Sequence, residues 1–263
     1  MVTFIDTHAH LNSKQFDHDL RKVITSSKKA GVKKIIVPGF DLPTSRKSAA
    51  IAEKYKGVCF NTCGIHPYHA NKIFDLYQTR LEMIEIIEKY QPIAIGEVGL
   101  DYHLYKNEEA KGKKEQQKEL LKLEIELALE YRLPMILHCR EAWDDYIDIL
   151  SLYHKDGVKG VSHCFEGGNV HLKEITRMGL FVGFNGMITF NLRQPALVKE
   201  TPLNRLILET DSPFLTPIPL RGKRNEPKNI RFVAKYVAEL KSLTLAEIAS
   251  ITSKNAHALF KLN

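Results

Sequence analysis

Short, continuously apolar runs alternate along the chain with longer stretches in which apolar residues return every three or four positions. The runs at residues 3–7, 34–37, 58–63, 93–96, 135–137, 160–162, 180–184 and 206–208 read as buried parallel strands, which are apolar on both faces. Between them, Leu120, Leu121, Leu123, Ile125, Leu127, Ala128 and Leu129 sit among charges over 115–131, as on an amphipathic helix. Met83, Ile84, Ile86 and Ile87 repeat the theme over 81–89. Gln91-Pro92 and Leu133-Pro134 end helices just ahead of strands four and five, because the residue before proline disfavours helical backbone. The stretch 230–260 reads as two helices, broken at 242–244 by an N-cap followed by Leu-Ala-Glu. Eight strand–helix units without linker or repeat predict one α/β domain over 1–263, a (β/α)8 TIM-type barrel.

Polar chemistry is concentrated where the apolar runs stop. The segments are IDTHAH (5–10), GEVGLD (96–101), ILHCRE (136–141), VSHCFEGG (161–168) and LETDSP (208–213), with GIHPYHA (64–70) after strand three. Barrel enzymes carry their chemistry at the C-terminal ends of their strands, and random polar residues would scatter over both ends. His8 and His10, two apart on a strand, share a face and can meet one ion at roughly 2.0–2.1 Å. Asp6 has the same parity and can orient their rings. Glu97 is placed at the end of strand four, between Gly96 and Gly99, where its two oxygens can bridge two ions. His138 and His163 are placed at the ends of strands five and six, where both can reach a second ion. Asp211 closes the ring beside His8 and His10 and can accept a proton from an attacking water; Glu209 is its rival. Four imidazoles and two carboxylates suit hydrolysis with two divalent metal ions. The mixed nitrogen and oxygen set favours zinc or manganese over magnesium.

Charge and cysteine usage refine this picture. The formal net charge is +7, much of it lysine on predicted helices such as Lys111, Lys113 and Lys114, and is compatible with a polyanionic substrate. Arg140 lies two residues past His138, and Arg221, Lys223 and Arg224 follow strand eight; guanidinium groups bind phosphate oxygens in bidentate fashion. His66 and His69 are further phosphate-contact candidates, with His66 the better placed because Pro67 fixes it. Cys59, Cys63, Cys139 and Cys164 lack paired C-x-x-C spacing, so they read as small buried residues of a reducing compartment. Strand alternation predicts that the sulfurs of Cys139 and Cys164 face away from the metal. No run approaches the roughly 18 apolar residues of a membrane span. The N-terminus enters a strand-like run without a leader pattern, so a cytoplasmic protein is expected.

Taken together, these segments resemble the TatD family of metal-dependent deoxyribonucleases. The resemblance rests on DTHAHL (6–11), CGIHP (63–67), IGEVGLDY (95–102), LHCREA (137–142), SHCF (162–165), ETDSPFL (209–215) and RGKRNEP (221–227), in family order over nearly the whole chain. It implies that His8, His10, Glu97 and Asp211 hold one ion and Glu97, His138 and His163 the other. It also implies that His66, Arg140 and Arg224 contact phosphate or substrate, and that phosphodiesters are cleaved with 3′ to 5′ polarity. Two segments depart from the family pattern: the lysine-rich continuation after Tyr102 within 99–117, and Glu166 where a small residue is common.

The expected activity is a metal-dependent deoxyribonuclease. A narrow barrel mouth admits single-stranded or frayed DNA ends more easily than intact duplex, and a monomer is expected. Four other readings compete: an amidohydrolase acting on cyclic amides or lactones, a hydrolase of other phosphoesters, a ribonuclease, and a non-catalytic nucleic-acid-binding protein. The first would use a modified lysine after strand four, where this chain has Glu97. The last has no need of an intact two-metal ligand set.

Overall fold

The structure is a computed structural model and describes residues 2–104 and 114–262. The strands are β1 (Phe4–Asp6), β2 (Val32–Val37), β3 (Cys59–Asn61), β4 (Ile95–Asp101), β5 (Met135–Arg140), β6 (Gly160–Ser162), β7 (Phe181–Phe184) and β8 (Leu206–Leu208). The α-helices are α1 (Leu20–Lys29), α2 (Leu42–Lys54), α3 (Leu76–Tyr90), α4 (Lys114–Glu130), α5 (Trp143–Tyr153), α6 (Asn169–Arg177), α7 (Gln194–Glu200), α8 (Ile230–Lys241) and α9 (Leu245–Phe260). All strand pairs are parallel, in the orders β1-β2-β3 and β4-β5-β6-β7-β8. Two parallel bridges, Cys63 with Ile95 and Ala9 with Ser212, join these arcs and close the barrel. Most of the atypical lysine-rich segment, residues 105–113 with Lys111 and Lys113, lies outside the described residues.

The two-residue period of each strand sorts side chains into two cores. Ile5, Ile36, Ala94, Ile136, Val161 and Ile207 turn inward and fill the lower barrel, where Leu259 and Phe260 of α9 plug the floor. Their strand neighbours, among them Val37, Met135, Leu137, Val182, Leu206 and Leu208, turn outward against the helices. On β5 this parity stacks His138 directly above Ile136, so an apolar floor carries a polar upper layer. α9 is fixed by a capping box: Thr244 Oγ1 accepts from the Glu247 N–H at 3.2 Å, and the Glu247 carboxylate accepts from the Thr244 N–H at 2.8 Å.

One departure from regular pairing matters for the site. In β4, Gly96 is opposite Ile136 and Val98 is opposite Leu137, so two steps on β4 match one on β5. The extra residue of this β-bulge is Glu97, and β4 continues past it to Asp101. A bulge turns an inserted side chain away from strand alternation, which aims Glu97 at the barrel axis within the strand rather than at its end. His138 likewise lies inside β5, which runs on to Arg140. Gly99 permits the tight β4–β5 contact: its φ is +144°, and a Cβ would lie 1.9 Å from the His138 carbonyl oxygen.

Removing the α9 cap tests how far the floor plug supports the barrel. Thr244→Ala should cost about 1 kcal/mol and lower Tm by roughly 2–4 °C in a thermal melt, with the folded baseline unchanged.

Candidate active site

Six side chains from five places in the sequence converge above the apolar floor. β1 delivers His8 and His10 through the segment beyond Asp6, β4 delivers Glu97 and β5 delivers His138. His163 follows β6 and Asp211 follows β8. His8 Nε2 and His10 Nε2 face each other at 3.1 Å. Glu97 Oε2 lies 3.3 Å from the first and 3.5 Å from the second. Asp211 Oδ1 lies 3.7 Å and 3.4 Å from the same two nitrogens. A four-coordinate ion with bonds of about 2.0–2.1 Å needs donors roughly 3.3–3.4 Å apart, and these spacings surround that value. Two buried imidazole nitrogens turned toward each other and toward two carboxylates gain little from one another, but together they fit a cation.

Glu97 belongs to a second group through its other oxygen. Glu97 Oε1 lies 2.9 Å from His163 Nε2 and 3.2 Å from His138 Nδ1, and these nitrogens are 3.2 Å apart. His66 Nε2 stands 3.5 Å from the same oxygen, and its ring packs edge-on against His138 at 4.4 Å. The sequence reading placed His66 with the substrate; the geometry brings it among the donors. It is held there as the cap of the 3-10 turn Pro67–Lys72, its Nδ1 accepting from the Tyr68 N–H at 3.1 Å. His69 is turned elsewhere, toward Asp41 at 3.9 Å and the Phe40 ring.

A ring of carboxylates orients the imidazoles. His138 Nε2 faces Asp101 Oδ2 at 3.4 Å, a partner the sequence reading missed because the bulge shifts β4 parity. His163 Nδ1 faces Glu209 Oε1 at 3.5 Å. Glu209, the rival for the role of Asp211, is fully buried beneath His163, where it accepts from the Cys164 N–H at 2.7 Å and from Asn185 Nδ2 at 3.2 Å. Asp6 accepts from the Thr210 hydroxyl at 2.6 Å and N–H at 2.9 Å, tying β1 to the segment that carries Asp211. Asp101 and Glu209 thus fix ring orientation and raise donor basicity, whereas Asp6, expected to orient the rings of His8 and His10, binds Thr210 and the His8 backbone N–H instead.

Burial and mutual charge set the protonation states. Burial, with the neighbouring His163, depresses His8. Burial and His138 push His66 down to about 3, so both imidazoles are neutral at neutral pH and offer lone pairs. Burial alone would lower His163, but Glu97 and Glu209 outweigh it and hold it well above the usual imidazole range. Burial alone would raise Glu97 and Asp211. His163 and His8 reverse this for Glu97, and His10 with His8 reverses it for Asp211, so both remain ionised. Asp6 shows the opposite balance: burial raises it to about 8.

The remaining predicted residues divide. Arg140 ends β5, in register with Asp101. Arg224 forks onto Asp19, with contacts of 2.9 Å and 2.7 Å, and reaches Glu226 at 3.3 Å above the Phe16 ring. Arg221 lies over Phe190 at 3.9 Å, and Lys223 is exposed. Cys139 packs in the outer core as expected. Cys164 follows the end of β6 with φ +45°, outside strand alternation, and burial, with the Asp211 and Glu209 carboxylates, raises its thiol well above the usual range.

Removing the shared carboxylate should disable both donor groups. Glu97→Gln should weaken divalent-ion binding at both, whereas Glu209→Gln, which removes the carboxylate facing His163 Nδ1, should cost about 10–100-fold in affinity. Calorimetric titration of each variant with Mn²⁺ or Zn²⁺ checks this.

Known proteins resemble this chain along its whole length. The model of the TatD related DNase family matches residues 5–261. A Bacillus subtilis protein named uncharacterized metal-dependent hydrolase YabD is 43 % identical, with 98 % of this chain and 99 % of that protein covered. The 3′-5′ ssDNA/RNA exonuclease TatD of Erwinia tasmaniensis is 34 % identical, with 98 % and 99 % covered. The crystal structure of YjjV, a TatD homolog from Escherichia coli K12, superimposes with a TM-score of 0.90 at 29 % identity, covering 100 % of both chains. A match along the whole barrel joins the donor geometry already described, and the chain belongs to the TatD related DNase family as a metal-dependent hydrolase.

Proposed function

We propose that this protein is a divalent-metal-dependent nuclease that hydrolyses phosphodiester bonds from the 3′ end of single-stranded or frayed DNA, acting as a monomer. The observation that carries the reading is the division of Glu97 between two donor groups, Oε2 toward His8 and His10 and Oε1 toward His138 and His163. A carboxylate shared in this way suits a pair of ions a few ångströms apart, the arrangement of phosphodiester-cleaving sites. Zinc or manganese fits the imidazole-rich set better than magnesium. Ions bound there supply Lewis-acid activation of water and offset charge on phosphoryl oxygens.

The chain's own residues carry the proton and the positioning. Asp211 is ionised and only 13 % exposed in its side chain, so its carboxylate faces the mouth with little competing solvent. It accepts the proton as a water attacks phosphorus and the bond to the leaving oxygen breaks. Neutral His66 sits beside Glu97 Oε1 and borders the position of the phosphate. Arg140, at the upper end of β5, supplies a guanidinium for the non-bridging oxygens. Arg224 holds the segment after β8 through Asp19, and its part in binding is to keep that rim in place. The narrow mouth selects unpaired ends. The 3′ polarity draws on the names of the exonuclease relatives, which cover both DNA and RNA.

Asp211→Asn tests the proton step. With metal content verified equal to the native protein, cleavage of a 5′-labelled single-stranded oligonucleotide should fall by about 10²–10⁴-fold. Near-native cleavage by the fully loaded variant would remove Asp211 from this role. The same assay on matched DNA and RNA ranks the two substrates, and the ladder of labelled products reads the polarity.

A further inference from the structure

Phe214 follows the Asp211 segment and leaves 51 % of its surface in solvent. Half-burying a phenylalanine forgoes part of the stabilisation that full burial returns. The exposed ring does not ride on a loose loop. Its N–H donates to the Asp211 carbonyl at 2.8 Å. Its carbonyl accepts from Asn225 Nδ2 at 2.7 Å, and the same amide holds the Thr210 carbonyl at 2.9 Å. The Asn225 N–H donates to the Pro213 carbonyl at 3.0 Å. Asn225 is fully buried and accepts from Asn229 Nδ2 at 2.9 Å. The backbone that presents the ring is therefore clamped to the segment that presents Asp211.

The ring stands beside the donors themselves. Its centroid is 6.1 Å from that of His10 at 67°, and Phe40 meets the same imidazole at 5.5 Å and 72°. A flat apolar face, fixed in orientation, has little ordering entropy left to lose when a second ring lands on it. Every nucleobase offers such a face, and base–aromatic stacking binds single strands without reading sequence. A base attached to the sugar whose phosphate lies against His10 and Asp211 is within one nucleotide of this ring.

We infer that Phe214 is a nucleobase-stacking subsite that seats the base next to the scissile phosphate of a single-stranded nucleic acid. The inference rests on the nuclease reading and adds to it a determinant of substrate class: the site recognises bases as well as phosphates, so an end without bases is a poor substrate.

The test crosses protein and substrate changes. Metal-loaded native protein, Phe214→Leu and Phe214→Tyr, matched in Tm and metal content, are given a single-stranded oligothymidylate and the same strand with abasic residues at its terminal positions. Phe214→Leu should lower kcat/KM on the base-bearing strand by roughly 5–150-fold, mainly through KM. The abasic ends should cost the native protein a similar factor and cost Phe214→Leu little more, since the two changes remove one contact. Phe214→Tyr should retain most of the native rate. Equal abasic penalties in native protein and Phe214→Leu would overturn the stacking subsite while leaving the nuclease intact. Failure of native protein to cleave either strand would overturn the nuclease reading and the subsite with it.

Discussion

The site depends on keeping one buried carboxylate ionised between two sets of imidazoles. Glu97 is almost wholly withdrawn from water, and burial alone would neutralise it. Its charge survives chiefly because His163 faces it, with His8, His66 and His138 around it. The converse holds for the rings: four close imidazoles have no favourable arrangement without an anion or a cation among them. The β4 bulge places that carboxylate at the axis, and Gly99 lets β5 approach closely enough to bring His138 to it. Backbone irregularity at one residue thus sets the electrostatics of the whole centre.

The layers below follow from the same need for a fixed centre. Isoleucine, valine and alanine fill the lower barrel and α9 seals its floor, so the polar layer rests on side chains that cannot rearrange without opening voids. Around it, Asp101, Glu209 and the Asp6–Thr210 pair hold rings and segments in place. The carboxylates divide by their neighbours: against burial, His10 and His8 keep Asp211 ionised, while burial moves Asp6 toward the neutral form.

Much of this was legible in the sequence, for definite reasons. The barrel followed from apolar runs of strand length separated by helical periodicity, because each element's period is fixed by backbone geometry. Each predicted strand overlaps an observed one, with β4 and β5 running on past their predicted ends, and the Thr244 cap was visible because capping is local. The candidate donors were legible because polar clusters interrupt the apolar runs, although Glu97 and His138 lie inside their strands rather than at the ends. The failures share a cause: each involves a shift by one residue or a partner far along the chain. The bulge at Glu97 leaves hydrophobic periodicity almost unmarked apart from two glycines, and it hid both the continuation of β4 and the place of Asp101. The left-handed backbone at Cys164 defeated the alternation used to point its sulfur outward. Arg224 looked like a phosphate ligand, yet its fork closes on Asp19, 205 positions away. His66 read as a phosphate contact, and nothing local to it announces a carboxylate on another strand.

The seam that closes the barrel has a temporal consequence. Asp6 and Thr210, 204 positions apart, are joined directly, and Ala9 pairs with Ser212 beside them. The earliest and latest strands to leave the ribosome therefore complete the ring at the very residues that bring His8 and His10 to Asp211. A nascent chain that has exposed its first six strands already holds most of its donors but lacks the last carboxylate. Until β8 emerges and docks, the protein has neither a closed barrel nor a full donor set. Synthesis thus delays a full donor set until the last strand of the barrel has been made.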